Sequence, residues 1–261
     1  MKNIIHDFPL ISNLNFNTSE SDLSHIIRQS ITDFFNDGAV ILIDKAPGWT
    51  SFDVVNKIRH VTKAKKVGHC GTLDPFATGL LIVCTGKATK HVDSFVGLSK
   101  VYLNEFELGK ITDTLDSDGE VIAENKIGEY SGDQLQKIAL ELTGEIEQVP
   151  PSYSAIKVNG VAAYKLARKG KLPELKPRKI RIDLFEIIDY KKPILKTRIH
   201  CSRGTYIRAL ARDFGQKLGC GAFVRNLRRE FIGSYSCREA LSIEQFREAI
   251  TALKSLDVHS N

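Results

Sequence analysis

The chain has 261 residues, of which 42% are apolar and 26% charged, and it carries a formal net charge of +6. That length can bury a sizeable core in one large domain or two small ones. No run reaches the ~18 apolar residues of a membrane span, and the opening Met1-Lys2-Asn3-Ile4, with Asp7 close behind, lacks the apolar segment of a secretory signal. Five cysteines, never spaced C-x-x-C, argue against a disulfide framework or a zinc site, and the seven histidines show no ligand spacing. No metal is expected, and the expected compartment is a reducing cytoplasm.

Residues 1–38 read as an N-terminal extension. They hold two basic side chains (Lys2, Arg28) and five acidic ones (Asp7, Glu20, Asp22, Asp33, Asp37), which leaves 35 basic and 26 acidic residues for the remainder. That imbalance fits a polyanionic partner. Leu23, Ile26, Ile27, Ile31, Phe34 and Phe35 recur at helical spacing and predict a docked helix. Ala39 to Asp44 predicts a short buried strand, broken by Lys45-Ala46-Pro47-Gly48-Trp49. Thr50 or Ser51 can then cap a helix with Val54, Val55, Ile58 and Val61 on one face. Lys45, at the strand end, could contact substrate, pair with a carboxylate or be solvated. Lys63, Lys65 and Lys66 are either a solvated face or a phosphate contact.

Next comes Gly68-His69-Cys70-Gly71-Thr72-Leu73-Asp74-Pro75-Phe76-Ala77-Thr78-Gly79-Leu80-Leu81. The proline ring pushes Asp74 out of the α region, so an extended loop is predicted, followed by a buried strand at 79–85. By itself Asp74 is either an Asx-turn cap or a catalytic carboxylate. Lys100 to Gly109 alternates as a strand, with Tyr102, Asn104, Phe106 and Leu108 on one face. Asp113 to Gly119 fails as a calcium loop, because Thr114 and Asn125 would fill positions that need acids. A polar hairpin turn is predicted there instead.

Ser131 and Gln134 form a capping box for a helix with Leu135, Ile138, Ala139 and Leu142 inward. Residues 157–181 carry nine basic side chains against the single acid Glu174, with Tyr153 and Tyr164 interleaved, a composition suited to nucleic acid. Two strand patterns follow, one with Ile180, Ile182 and Leu184 on a face and one with Leu195, Thr197, Ile199 and Cys201. A helix then turns Ile207, Leu210, Ala211, Phe214 and Leu218 inward, with Arg208 and Arg212 one turn apart on its other side. Ser242 and Gln245 cap a last helix carrying Phe246, Ile250 and Leu253.

Taken together, these strings resemble the TruB family of tRNA pseudouridine synthases over about residues 39–250. The matching stretches are Asp44 to Ser51, GHCGTLDP, Lys100-Val101-Tyr102, Asp113 to Gly119, Pro150 to Lys157, Cys201 to Arg208, and Leu218 to Ala222 with Leu227-Arg228-Arg229. The first departs from the family's D-K-P-x-G by carrying Ala46-Pro47. The resemblance implies an α+β fold, a mixed and mostly antiparallel central sheet flanked by helices, with a basic RNA-binding thumb at about 148–178. It implies isomerisation of uridine 55 in the tRNA T loop, with Asp74, Tyr102 and Arg208 catalytic. Asp74 would be the nucleophile, Arg208 its partner, and Tyr102 the surface on which the base stacks. Lys45, His69, Tyr153, Lys157, Arg168, Lys169, Lys171, Tyr206 and Leu227 would bind substrate. For His69 a hydrogen bond within its loop, and for Leu227 a core position, are the plainer alternatives.

The chemistry breaks the C1′–N1 bond and rejoins the ring through C5, by attack at the ribose or by a glycal route; a nucleophilic carboxylate suffices and no cofactor is expected. The expected partner is the tRNA T-arm stem-loop, with no membrane and no obligate protein partner, the chain acting as a monomer. The chain stops at Asn261, so the expected form is one without a C-terminal PUA domain, residues 251–261 being a tail. A pseudouridine synthase acting on another RNA site is one alternative, and the rival from another class is a catalytically silent RNA-binding protein on the same fold. Asp74, Tyr102 and Arg208 argue against it, since binding alone needs none of them.

Overall fold

A computed structural model describes residues 8–12, 30–171 and 173–258, with side chains through residue 255. Leu23, Ile26 and Ile27 lie outside the described residues. The chain divides into two compact units, one of residues to Leu98 and from Arg228 onward, the other Ser99–Leu227.

The first unit is built on β2 (Val40–Lys45) and β4 (Thr78–Thr85), which pair antiparallel. The short β1 (Leu10–Ile11) runs parallel to β2, and β3 (Val67–His69) pairs antiparallel with β4. The end of β13 (Ala222–Ile232) lies parallel to the start of β4. Both faces of β2 and β4 are covered, which is why their apolar runs are nearly unbroken. On one face Ile41, Ile43, Leu81 and Val83 meet three helices: α1 (Ile31–Asp37), α2 (Ser51–Thr62) and α7 (Ile243–Val258). On the other, Val40, Leu42, Leu80, Ile82 and Cys84 pack with Ala88, Phe95, Ile232 and Tyr235. Phe95 belongs to α3 (Val92–Val96).

Helix starts follow their chemistry. Thr50 accepts the Asp53 amide while the Asp53 carboxylate takes the Thr50 amide, fixing α2. Ser242 and Gln245 exchange the same pair of bonds at α7.

The second unit holds an antiparallel run in the order β5 (Lys100–Leu108), β12 (Ile194–Cys201), β11 (Arg178–Lys191) and β8 (Gly144–Gln148). Burial alternates along β5 and β12 as the sequence predicts. In β11 it does not. Ile180 and Ile182 are buried, but a register irregularity between Ile182 and Leu184 reverses the alternation, so Leu184 is exposed and Phe185 buried. Phe185 joins Phe106 and Phe214 in an aromatic cluster, Phe214 coming from α6 (Ile207–Leu218). Ser131 caps α4 (Gly132–Glu141) in the predicted box. A small hairpin joins β6 (Lys110–Thr112) to β7 (Val121–Glu124), and a second joins β9 (Lys157–Val158) to β10 (Val161–Ala162), followed by α5 (Ala163–Ala167). Counted over both units, the sheet is mixed, mostly antiparallel and flanked by helices.

Candidate active site

In the first unit, β3 and β4 present the stretch from Cys70 to Ala77 as the loop between them. Cys70 donates to the Ile82 carbonyl at 2.8 Å and closes the ladder. Its sulfur lies 3.5 Å from that of Cys84, both thiols fully buried and neither in a disulfide. Asp74 opens a tight turn in which the Ala77 amide donates to its carbonyl at 3.1 Å, and Pro75 supplies the fixed φ that position favours. The Asp74 side chain is half-buried.

Neighbouring side chains take up the backbone around it. Ser51 accepts the Leu73 amide at 2.9 Å and donates back to the Leu73 carbonyl at 3.3 Å. Lys45 is only 1% exposed, and its Nζ donates to the carbonyls of Pro75, Trp49 and Ala46 at 3.2, 2.7 and 3.0 Å. The Gly48 amide adds a second bond to Pro75 O at 2.9 Å. The Lys45 ammonium is turned inward to bind the Asp74–Pro75 turn to the segment that opens α2. The preceding residue, Asp44, forms a two-pronged ion pair with Arg228 at 3.0 and 2.6 Å. Arg228 also lies 3.3 Å from the Cys237 sulfur, and burial, then Asp44, pushes that thiol up to about 12, so it is no thiolate nucleophile.

His69 ends β3. Burial, aided by the Arg229 cation, lowers its pKa, and its buried Nδ1 has no hydrogen-bond partner among the described residues. The neutral imidazole is the form this position favours.

In the second unit Arg208 sits at the start of α6. The sequence places it on the polar side of that helix, yet it is nearly fully buried, because this end of α6 is enclosed all round. Its guanidinium donates to the carbonyls of Thr114 and Tyr153, each at 2.8 Å, and forms an ion pair with Asp116 at 3.2 Å. Asp116 lies between β6 and β7, where it also accepts from the Thr114 hydroxyl and the Asp118 amide. Sequence reasoning treated Asp116 only as part of a turn. Its signal was the spacing Asp113-Thr114-Leu115-Asp116 ahead of an arginine that needed a buried partner.

Gln148 was likewise missed. Its amide brackets Tyr206, accepting the Tyr206 N–H at 2.9 Å and donating to its carbonyl at 3.1 Å, which fixes the entry to α6. Tyr102 and Leu227 are mostly buried. Tyr153 is half-buried, with its hydroxyl pKa raised by burial and by Asp113. Lys157, Arg168, Lys169 and Lys171 are all exposed, and Arg168 stacks over the Tyr164 ring at 5.5 Å. Among the described residues there is no cluster of metal ligands, and no helix is long and apolar enough to cross a membrane.

Comparison with known proteins supplies the context for this loop. The family model for the TruB pseudouridylate synthase N-terminal domain matches residues 59–207, and that for the tRNA pseudouridylate synthase B C-terminal domain matches residues 208–259. This chain belongs to the TruB family. The tRNA pseudouridine synthase B of Endomicrobium trichonymphae is 48% identical to it, over 85% of this chain and 96% of that one. The Phocaeicola vulgatus protein of the same name is 44% identical, over 82% and 94%. Among solved structures, a Cbf5-Nop10-Gar1 complex contains a chain with TM-score 0.64 and 27% identity, covering 84% of this chain. This chain spans 56% of that one's length. The structural likeness agrees with the mixed, helix-flanked sheet.

Proposed function

We propose that this TruB-family chain isomerises uridine to pseudouridine at position 55 in the T loop of tRNA, with Asp74 as the nucleophile and the target base flipped out of its stack. The observation that carries this reading is the immobilised backbone on both sides of Asp74, made by Ser51 at Leu73 and by Lys45 and Gly48 at Pro75. A half-buried carboxylate whose main chain is fixed has lost the freedom that a nucleophile must otherwise give up on the way to the transition state. The curated relatives named tRNA pseudouridine synthase B support the substrate class.

The reaction breaks the C1′–N1 bond, turns the uracil, forms C1′–C5, releases the C5 hydrogen to solvent and protonates N1. Atoms balance without a donor or an oxidant. Arg208 and Tyr102 are the further catalytic residues in this reading, and the neutral His69 occupies space in the RNA where the base has left. Residues 39–250 form the catalytic domain, and the exposed basic stretch near 148–178 is its thumb.

The test is tritium release from a tRNA transcript labelled at uridine C5. Asp74→Asn should abolish release while tRNA binding stays within a few fold, because the amide keeps the shape and loses the nucleophile. Turnover at the wild-type rate in this variant would remove Asp74 from the mechanism. Binding of tRNA by the wild-type protein without any release would favour the silent RNA-binding reading.

A further inference from the structure

Arg229 is 1% exposed, among the largest fully buried side chains of the protein. Its Nε donates to Leu80 O at 2.7 Å, its Nη2 to Gly71 O at 3.1 Å and its Nη1 to Thr72 O at 3.4 Å. No carboxylate lies within ion-pair distance of it among the described residues. A buried cation ordinarily costs several kcal/mol unless paired, and here backbone carbonyls alone solvate it. A methionine would fill similar space without that cost, so the guanidinium is there for what it holds.

What it holds is the approach to Asp74. Gly71 and Thr72 are the third and second residues before the aspartate, and Leu80 lies just beyond the loop in β4. The fork of the guanidinium spans the loop's entry and exit at once, which a single-point donor cannot do. Ladder register places Lys45 of β2 and Arg229 of β13 opposite the same residue, Gly79, from its two sides. Gly79 has φ +103°, and a Cβ there would lie 2.3 Å from the Arg229 carbonyl, so the row closes only around a glycine. With the Ser51 and Lys45 bonds already described, every carbonyl from Gly71 to Pro75 has a donor.

We infer that Arg229 is a positioning residue for the reaction, a buried cation that fixes the entry of the Asp74 loop as Lys45 fixes its exit. The inference rests on the reading of Asp74 as nucleophile. Arg229 does not touch substrate. It sets where the Asp74 backbone stands.

Single-turnover tritium release and tRNA affinity are measured for wild type, Arg229→Lys, Arg229→Gln and Asp74→Asn. Arg229→Lys keeps the charge but cannot reach three carbonyls, and Arg229→Gln keeps donors without the charge. Each should slow the single-turnover rate on the order of 10²-fold while leaving the tRNA Kd within about threefold, since misplacing a reacting group costs rate and not binding. Low millimolar guanidinium should restore part of the lost rate to Arg229→Ala, whereas the same concentration of sodium or ammonium should not. Full rate in folded Arg229→Lys with an inert Asp74→Asn overturns the positioning role alone. An active Asp74→Asn overturns the nucleophile instead. Loss of fold in Arg229→Lys, Arg229→Gln and Arg229→Ala alike, or a rate loss fully accounted for by weaker tRNA binding, also overturns the inference, because the arginine would then serve the core or the interface.

Discussion

Arg208 and Asp116 form a deeply buried ion pair in the second unit. Asp116→Ala removes a buried carboxylate from beside that guanidinium and should destabilise the protein by about 3–5 kcal/mol, nearer the lower figure because the carbonyls of Thr114 and Tyr153 remain. Urea unfolding measures this, and a loss below about 1 kcal/mol would mean that water reaches the site. His69 gives a second test at this scale. Its folded pKa is lowered below 6.5 by burial and then by Arg229, so between those two values the unfolded chain binds the proton and the folded chain does not. Stability contributed by neutral His69 is therefore complete above the unfolded pKa and is lost as pH falls through the folded one. A histidine NMR titration should show its midpoint below the free value, and Arg229→Gln should move that midpoint upward. An unmoved midpoint would show that the cation's field does not reach the ring.

Elements differ in how much of themselves the sequence disclosed. Two helix starts were legible because capping boxes write both partners within four residues, as at Ser131–Gln134 and Ser242–Gln245. The faces of β5 and β12 were legible because nothing interrupts their period of two. The face of β11 past Ile182 was not, since a bulge leaves no reliable mark in the residue pattern. Arg208 was misplaced on α6 for a related reason. Apolar spacing finds one buried stripe, and it cannot see a helix end enclosed on every side. The exposed basic stretch proposed as the thumb yields a prediction at this scale. Arg168, Lys169 and Lys171 are exposed, so neutralising all three should remove at most three phosphate contacts. Each contributes roughly 0.7–0.9 to the slope of log affinity against log salt, so the slope should become shallower by about two to three. Choice of uridine should not change, because phosphates carry no direct sequence information. An unaltered slope would reduce this stretch to a solvated basic face.

For the molecule as a whole, the candidate loop around Asp74 stood out as a string of letters but the residues that hold it did not. Lys45, Ser51 and Arg229 come from three separate places in the chain: ladder register brings Lys45 and Arg229 to one row, and Ser51 reaches Leu73 from the start of α2. The same non-locality applies to the N-terminal segment. Its acidic composition set it apart from the rest, yet the described part is built into the first unit. Val40 donates to the Pro9 carbonyl, Ile11 is buried, and Phe35 is fully enclosed with Phe34 and Phe246 against it. That packing predicts a stability role for the segment. Phe35→Ala should cost about 3–5 kcal/mol, the range for emptying a buried phenylalanine site. For a domain with ~5–15 kcal/mol in total, such a loss brings unfolding close to assay temperatures. If the segment served RNA binding instead, the same substitution would weaken tRNA affinity at a temperature where the protein is still folded. Thermal unfolding measured beside tRNA binding at low temperature separates the two: a lowered Tm with unchanged affinity is expected, and weakened affinity with an unchanged Tm would assign these residues to the substrate.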